Sequence, residues 1–289
     1  MVAVGGLIRG ADSSGSWSAV TAAPHGALGG TVHRYGGFHE SRGGPVVRTE
    51  LPSTDIVLVL DLTRNLAVGR PSPPTLSPDG VVAGVGRTSL STRHPGDQVA
   101  LEVRMSPLAA QPLLGIPGGA LSEKLVEVGE LCGRAGGELL ERASQLESWR
   151  ERFSLLEGFL LARQRDAAPA VGPDPALVAA HRLVLHRQGD VSMRELLELT
   201  GWSRRRLAVR FREQVGMTPK GFARLARFRH AERLLRSPGH RSLASIALTC
   251  GYCDQAHLNR DFRDLAGCTP TAHLTHLRSD PAAADMAAG

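Results

Sequence analysis

Along the C-terminal third of the chain, apolar residues recur with helical spacing, and the pattern is written twice. The first copy runs Ser192-Met193-Arg194-Glu195-Leu196, Gly201-Trp202-Ser203, Phe211-Arg212 and Gly216-Met217-Thr218-Pro219. The second runs Ser242-Leu243-Ala244-Ser245-Ile246, Gly251-Tyr252-Cys253, Phe262-Arg263 and Gly267-Cys268-Thr269-Pro270. The first glycines lie 50 residues apart and the closing prolines 51. Two copies do not make a solenoid, which needs about three stacked units or more.

Each copy predicts a helix, a short glycine turn and a second helix. Ser192 and Ser242 can cap a first turn by accepting from its free amides. Leu196, Leu197 and Leu199 are then expected to face inward in the first copy, and Ile246 and Ala247 in the second. Gly201 and Gly251 are placed to end the helix in the left-handed conformation, and Ser203 and Asp254 to cap the next one. This is helix-turn-helix grammar, and the second helix of such a unit enters the DNA major groove.

Counting 100° per residue puts Leu207 and Phe211 on the core side of the first reading helix, and Leu258 and Phe262 on that of the second. The opposite faces carry Arg205, Ala208, Val209 and Arg212 in one, and Ala256, Asn259, Arg260 and Arg263 in the other, with Gln255 at the edge. Arginine pairs with guanine, asparagine and glutamine with adenine, and Ala or Val meets a thymine methyl. A solvated face could hold the same residues once; two in tandem point to DNA. Between the copies, Pro219 opens a long amphipathic helix with Phe222, Leu225, Phe228, Ala231, Leu234 and Leu235 inward, closed by Ser237-Pro238-Gly239. One chain thus carries two readers that fit successive major grooves, about 34 Å apart.

The N-terminal part has another texture. Residues up to about 116 are rich in Gly, Pro and Ser, with strand-like runs at 55–62, 81–85 and 99–105. Helical spacing is expected over 121–165: Leu125, Val126, Val128 and Leu131, then Leu139, Leu140 and Leu146, then Trp149, Phe153, Leu155, Leu156, Phe159 and Leu160. Residues 167–175 hold three prolines and a glycine and form the expected linker, with Asp174 and Pro175 set to cap and open the next helix. The predicted fold class is α+β: a β-rich N-terminal sensor-like domain with following helices (1–166), an all-α C-terminal domain of two helix-turn-helix units joined by a long helix (176–277), and a disordered tail (278–289).

The C-terminal residues resemble the DNA-binding domain of the AraC/XylS family of transcription regulators. The resemblance covers about residues 175–277 and is most specific at Ile246-Ala247, Gly251-Tyr252, Asp254-Gln255-Ala256-His257-Leu258, Arg260, Phe262 and Gly267-Cys268-Thr269-Pro270. It implies a chain that binds promoter DNA and acts on RNA polymerase. Base-contacting positions fall on Arg205, Ala208 and Val209 in the first reading helix and on Gln255, Ala256, Asn259 and Arg260 in the second. The family often has glutamine where Ala208 stands and usually alanine where Leu197 stands, which shifts readout in the first helix toward Arg204 and Arg205. The N-terminal segment is similar to poorly characterised actinobacterial sensor domains of the family, implying a small-molecule effector or a homodimer contact.

Charge supports the division. Residues 176–279 carry 18 basic and 8 acidic side chains, a net +10, while the rest carries 16 and 20, a net −4. A basic domain beside an acidic one is the footprint of a nucleic-acid binder. Only Lys124 and Lys220 are lysines, so a coding preference for arginine contributes to the count, but it acts on both halves alike. No apolar run reaches the roughly 18 residues of a membrane span, and no export signal is visible at residues 1–10, so a cytoplasmic chain without membrane contact is expected.

Three constellations carry less than their residue types suggest. Cys250 and Cys253 have the spacing of a redox pair or half a zinc site, yet the turn already accounts for Gly251 and Tyr252; a redox-responsive regulator is the alternative reading. His25, His33 and His39 lack a convincing carboxylate, since Glu40 would face away from His39. Cys132 has no His and Asp pattern around it, so no enzyme is expected, and an enzyme-like N-terminal domain targeted to DNA is the other alternative reading. No catalytic residue, metal site or cofactor is predicted.

Overall fold

The computed structural model of the protein describes residues 3–69, 74–76, 80–167, 172–237, 239 and 242–283. Its N-terminal half is built from β1 (Ala3–Asp12), β2 (Gly15–Ala23), β3 (Val32–Arg42), β4 (Val46–Glu50), β5 (Ile56–Asp61), β6 (Ala67–Gly69), β7 (Thr75–Leu76), β8 (Val81–Ala83), β9 (Leu90–His94), β10 (Gln98–Met105) and β11 (Leu125–Glu127). These pair antiparallel in a seven-stranded sheet, order β1-β2-β3-β10-β5-β8-β11, and a four-stranded sheet, order β4-β9-β6-β7.

Strand periodicity decides what each face of the large sheet meets. Ile56, Leu58 and Leu60 of β5 and Leu101, Val103 and Met105 of β10 are buried with Tyr35, Phe153, Leu156 and Leu160 in the main core. The alternate residues, Val57 and Val59, Ala100, Glu102 and Arg104, point to the other side and line a cavity that the small sheet closes with Val47, Val68 and Thr92. The helical layer over the first face comprises α1 (Ala110–Leu114), α2 (Val128–Gln145) and α3 (Trp149–Asp166). α2 is broken at Gly133, whose backbone leaves helical geometry (φ 54°, ψ −145°). Ser148 caps α3, accepting from the Glu151 amide.

The C-terminal domain is all helix: α4 (Pro175–His186), α5 (Met193–Thr200), α6 (Arg204–Val215), α7 (Pro219–Arg236), α8 (Leu243–Thr249), α9 (Gln255–Ala266) and α10 (Pro270–Ser279). Asp174 accepts from the Ala176 amide with Pro175 in the first turn, as the sequence indicates.

The predicted fold class stands, with local corrections. Of the strands, only β5, β8 and β10 coincide with the strand-like runs. Leu125 and Val126 lie in β11 rather than a helix, because Leu125 and Val126 pair with Ala83 and Val82 at the edge of the large sheet. Leu199 is 47% exposed, and the inward place falls to Thr200, whose hydroxyl donates to the Leu196 carbonyl. Part of the linker, residues 168–171, lies outside the described residues. The expected disordered tail is corrected over 278–283. Arg278 and Ser279 complete α10, Ala282 is buried, and Asp280 accepts from Arg48 of β4 at 2.7 and 3.2 Å. Residues 284–289 lie outside the described residues.

That contact belongs to an ion cluster tying the N-terminal domain, whose two sheets enclose the cavity as an open barrel, to the C-terminal domain. Glu40, 1% exposed, accepts from Arg42 Nε at 2.7 Å and from both terminal nitrogens of Arg48 at 2.6 Å, and lies 3.3 Å from His94 Nε2. Burial works to raise its pKa, but the His94, Arg48 and Arg42 contacts outweigh it and hold the carboxyl well below the usual range. A depressed folded-state pKa contributes stability above the unfolded value near 4.3, and that contribution is lost as pH falls through the folded value. Removing one partner of such a buried network costs about 3–5 kcal/mol. Glu40→Gln is therefore expected to lower stability near neutral pH by a large part of that amount and to flatten the decline of melting temperature below about pH 4. Thermal unfolding across pH checks both; a variant with an unchanged acid limb would rule the cluster out as its source.

Candidate nucleic-acid interface

Two similar units stand at the ends of α7. In the first, Ser192 and Glu195 form a reciprocal capping box at α5, Gly201 turns the chain in the left-handed conformation (φ 65°), and Ser203 caps α6 by accepting from the Arg206 amide. In the second, Ser242 caps α8, Gly251 turns the chain (φ 73°), and Asp254 caps α9 by accepting from the His257 amide. Gly216 and Gly267 end the reading helices in the same left-handed conformation, and Thr218 and Thr269 cap the helices that follow.

α6 and α9 each bury one face on α7. Leu207, Phe211 and Val215 of α6 and Leu258, Phe262 and Leu265 of α9 are buried. The Phe211 ring packs on Phe222 with centroids 5.9 Å apart, and the Phe262 ring packs edge-on against Phe228 at 5.0 Å. α7 also holds α9 by charge. Arg224 donates to buried Asp261 at 2.8 Å and to Asp264 at 2.6 Å, while Arg227 lies over the Tyr252 ring at 5.7 Å and donates to the Gly189 carbonyl at 3.3 Å. Sequence periodicity assigned α7 its core face but not these clamps, because they join residues about 40 positions apart.

The outward faces agree with the helical count. Arg204, Arg205, Val209 and Arg212 on α6 and Gln255, Ala256, Arg260 and Arg263 on α9 are exposed, and Ala208 and Asn259 are half-buried. The Asn259 amide oxygen is itself buried without a hydrogen-bond partner among the described residues. Other arginines nearby are engaged: Arg206 stacks on Trp202 at 4.5 Å, and Arg210 pairs with Glu213 at 3.0 Å. Arg204, Arg205, Arg212, Arg260 and Arg263 form no ion pair among the described residues.

Residues 196–276 match the family model of a helix-turn-helix domain. The C-terminal domain is an AraC-type helix-turn-helix domain. A 73-residue stretch is 36% identical to the uncharacterised HTH-type transcriptional regulator YbfI of Bacillus subtilis (strain 168), covering 25% of this chain and 26% of that protein. The chain therefore spans about a quarter of this relative's length. Among solved structures, it is similar to the DNA-binding domain of AdpA in complex with a target DNA (26% identity, 37% of this chain and 96% of that one, TM-score 0.34). It is also similar to ToxT of Vibrio cholerae O395 (12% identity, 82% and 95%, TM-score 0.46).

The N-terminal domain grips the AraC-type domain at α6. A 3-10 turn, Gly118–Leu121, lies against the last turn of α6 so closely that a Cβ on Gly119 would overlap the carbonyl oxygens of Arg212 and Glu213, and one on Gly118 that of Gln214. The Ser122 hydroxyl donates to the carbonyl of Gly216 at 2.6 Å. Sequence inspection saw the glycines at 118 and 119 only as a change of texture.

Beneath the second unit, the barrel cavity of about 610 Å³ opens onto the same domain. Val57, Val59, Leu66, Val68, Val81 and Leu90 give it an apolar wall, while Glu50, Glu102 and Arg104 from the barrel and Arg229 and Glu232 from α7 supply charge. The alternation in Ala100-Leu101-Glu102-Val103-Arg104-Met105 was the available sequence signal for it, since both charges fall on the face opposite the core.

The remaining candidates are dispersed. His25 caps a short turn, His33 lies 3.0 Å from Asp55, and His39 is exposed. Among the described residues no group of three or more His, Cys, Asp or Glu side chains is placed to hold a metal ion. Cys132 is buried in α2 with its thiol pKa raised by burial, Cys250 is buried, and Cys253 is exposed. No described helix is long and apolar enough to cross a membrane.

Because the 3-10 turn meets α6 backbone to backbone, Gly119→Ala is expected to lose about 1–3 kcal/mol, the usual cost of overpacking. Urea unfolding of the full chain measures it, with hydrogen exchange at residues 212–216 reporting a loosened end of α6. Unchanged exchange there would mean that the contact does not hold that helix.

Proposed function

We propose that the chain is a sequence-specific DNA-binding transcription regulator of AraC type that responds to a small-molecule effector and acts on RNA polymerase. In this reading α6 and α9 enter successive major grooves of promoter DNA. The observation that carries it is the sorting of arginines: those facing the core or the connector are paired, while Arg204, Arg205, Arg212, Arg260 and Arg263 stand outward on the two capped reading helices without ion-pair partners among the described residues. Arg205 and Arg260 are the assigned base readers. Arg204, Arg212 and Arg263 supply phosphate contacts or neighbouring bases.

The effector half of the reading draws on the cavity. An occupant would touch the barrel through β5 and β10 and the AraC-type domain through Arg229 and Glu232 of α7, the helix from which both reading helices hang. A ligand shifts an equilibrium only by its differential contacts with the two states, and a site shared between two domains supplies such a difference when the domains move.

Arg205→Ala and Arg260→Ala are each expected to cost about 1–3 kcal/mol at the cognate operator and to relax preference at separate base positions. Quantitative binding to operator variants over a salt series checks this, with wild-type affinity falling steeply as salt rises. Equal weakening on all sequences would make that arginine a phosphate contact, and a flat salt response would remove the DNA reading.

A further inference from the structure

We propose that the cavity takes an amphiphile with a cationic amine head, held by the Glu50 carboxylate, and an apolar body lying along Val57, Val59, Leu66 and Val68. The inference rests on the effector reading above and names the chemistry of that site.

The cavity wall is charged, and all but one of its carboxylates have a basic partner. Asp55 lies 3.0 Å from His33, and Glu102 takes Arg104 at 2.7 Å and Arg34 at 3.2 Å. Glu232 takes His273 at 3.3 Å, Arg236 at 3.5 Å and Arg229 at 3.7 Å, and Asp280 takes Arg48 at 2.7 Å. The carboxylate of Glu50, the last residue of β4, forms no hydrogen bond or ion pair among the described residues, although it lines the same cavity. Its side chain is exposed into the cavity. Desolvation and the Glu102 carboxylate raise its pKa against the opposing pull of Arg104, Arg48 and Arg229, none of which reaches it as an ion pair. A cation placed beside it removes that cost and supplies the missing charge-assisted hydrogen bond.

The occupant is an organic cation rather than a bare metal ion. A divalent cation needs about six oxygen ligands, and one carboxylate beside an apolar wall does not furnish them. An ammonium on a hydrocarbon body uses both surfaces at once. An anionic head would have to turn to Arg48, Arg104 or Arg229, each of which already has a carboxylate beside it.

Three probes of one shape separate these cases: hexylammonium, hexanol and hexanoate, titrated into the full chain by calorimetry and followed by thermal unfolding. Hexylammonium is expected to bind at least about tenfold more tightly than hexanol and to raise the melting temperature. Glu50→Gln is expected to abolish that preference while leaving hexanol binding and operator binding unchanged, since Glu50 supports no other side chain. Val68→Trp, which fills the apolar wall, is expected to weaken both neutral and cationic probes. Tighter binding of hexanoate, lost in Arg229→Gln, would overturn the cationic head and keep the effector site. Equal binding of the three probes, binding of none, or a preference that survives Glu50→Gln would likewise overturn it. Probe binding indifferent to Val68→Trp would instead remove the effector site itself, and operator binding reports the DNA reading independently of every outcome.

Discussion

Everything α6 and α9 can do depends on the rigidity of α7. Phe222 and Phe228 are its anchor points, one against Phe211 of α6 and the other against Phe262 of α9. Six residues of α-helix separate them by about 9 Å along the axis and about 120° around it. That fixed screw relation sets the orientation of one reader to the other, so a register change in one moves both. Thr218 and Pro219 start the helix cleanly, and its core face is continuous through Leu225 and Ala231, leaving no position at which it could bend without exposing a buried side chain. Arg224 adds a directional tie to Asp261 and Asp264, which prevents α9 from rolling on the Phe228 ring. A preset separation also reduces the ordering that binding itself must supply.

The barrel does not touch this frame evenly. It meets the first unit through backbone, at the 3-10 turn against α6, and the second through charge, where Arg48 reaches Asp280 just beyond α10. The two contacts respond to different conditions. The backbone contact is steric and short-ranged, and it changes only if the 3-10 turn itself moves. The ionic one shares Arg48 with Glu40, so the latch on the second unit is coupled to a carboxylate deep in the barrel. Between them lies the cavity, bordered by α7 itself.

How much of this could be read in the sequence follows from the range of each interaction. Caps, turns and helix faces of the C-terminal domain are set within about four residues, so Ser192, Gly201, Ser203, Asp254 and the Leu207–Phe211 stripe were legible, and the repeat made each inference twice. Leu199 failed because the inward place at the end of α5 is taken by Thr200, whose hydroxyl bonds back to Leu196, something apolar spacing cannot express. The first strands were hidden for a different reason. β1 and β2 are rich in small residues such as Gly5, Gly6, Ser16 and Ser18, and β3 places Gly36 and Gly37 between Tyr35 and Phe38, so neither shows clean alternation of large apolar and polar side chains. Asp280 and Glu50 were invisible because their meaning lies in partners from other elements: a distant arginine for one, and the lack of any for the other.

Composition alone left the arginine content ambiguous, since a coding preference inflates it everywhere. The structure divides those residues by what they touch. Arg42, Arg48, Arg34 and Arg104 are consumed by buried carboxylates in the barrel, and Arg206, Arg210, Arg224 and Arg227 by a ring, a neighbouring glutamate, α9 and a carbonyl. A coding preference scatters arginine without regard to surface, so it would leave outward arginines wherever helices are exposed. Exposed arginines that form no ion pair among the described residues also stand on other helices, Arg142, Arg150, Arg165, Arg182 and Arg233 among them; those of α6 and α9 fall on the face opposite the buried Phe211 and Phe262, beside Ala208 and Val209 in one helix and Gln255 and Ala256 in the other. Small apolar and amide side chains interspersed with guanidinium groups that form no ion pair among the described residues match the methyls, acceptors and donors of a groove floor, and that match is what the proposed DNA reading draws on.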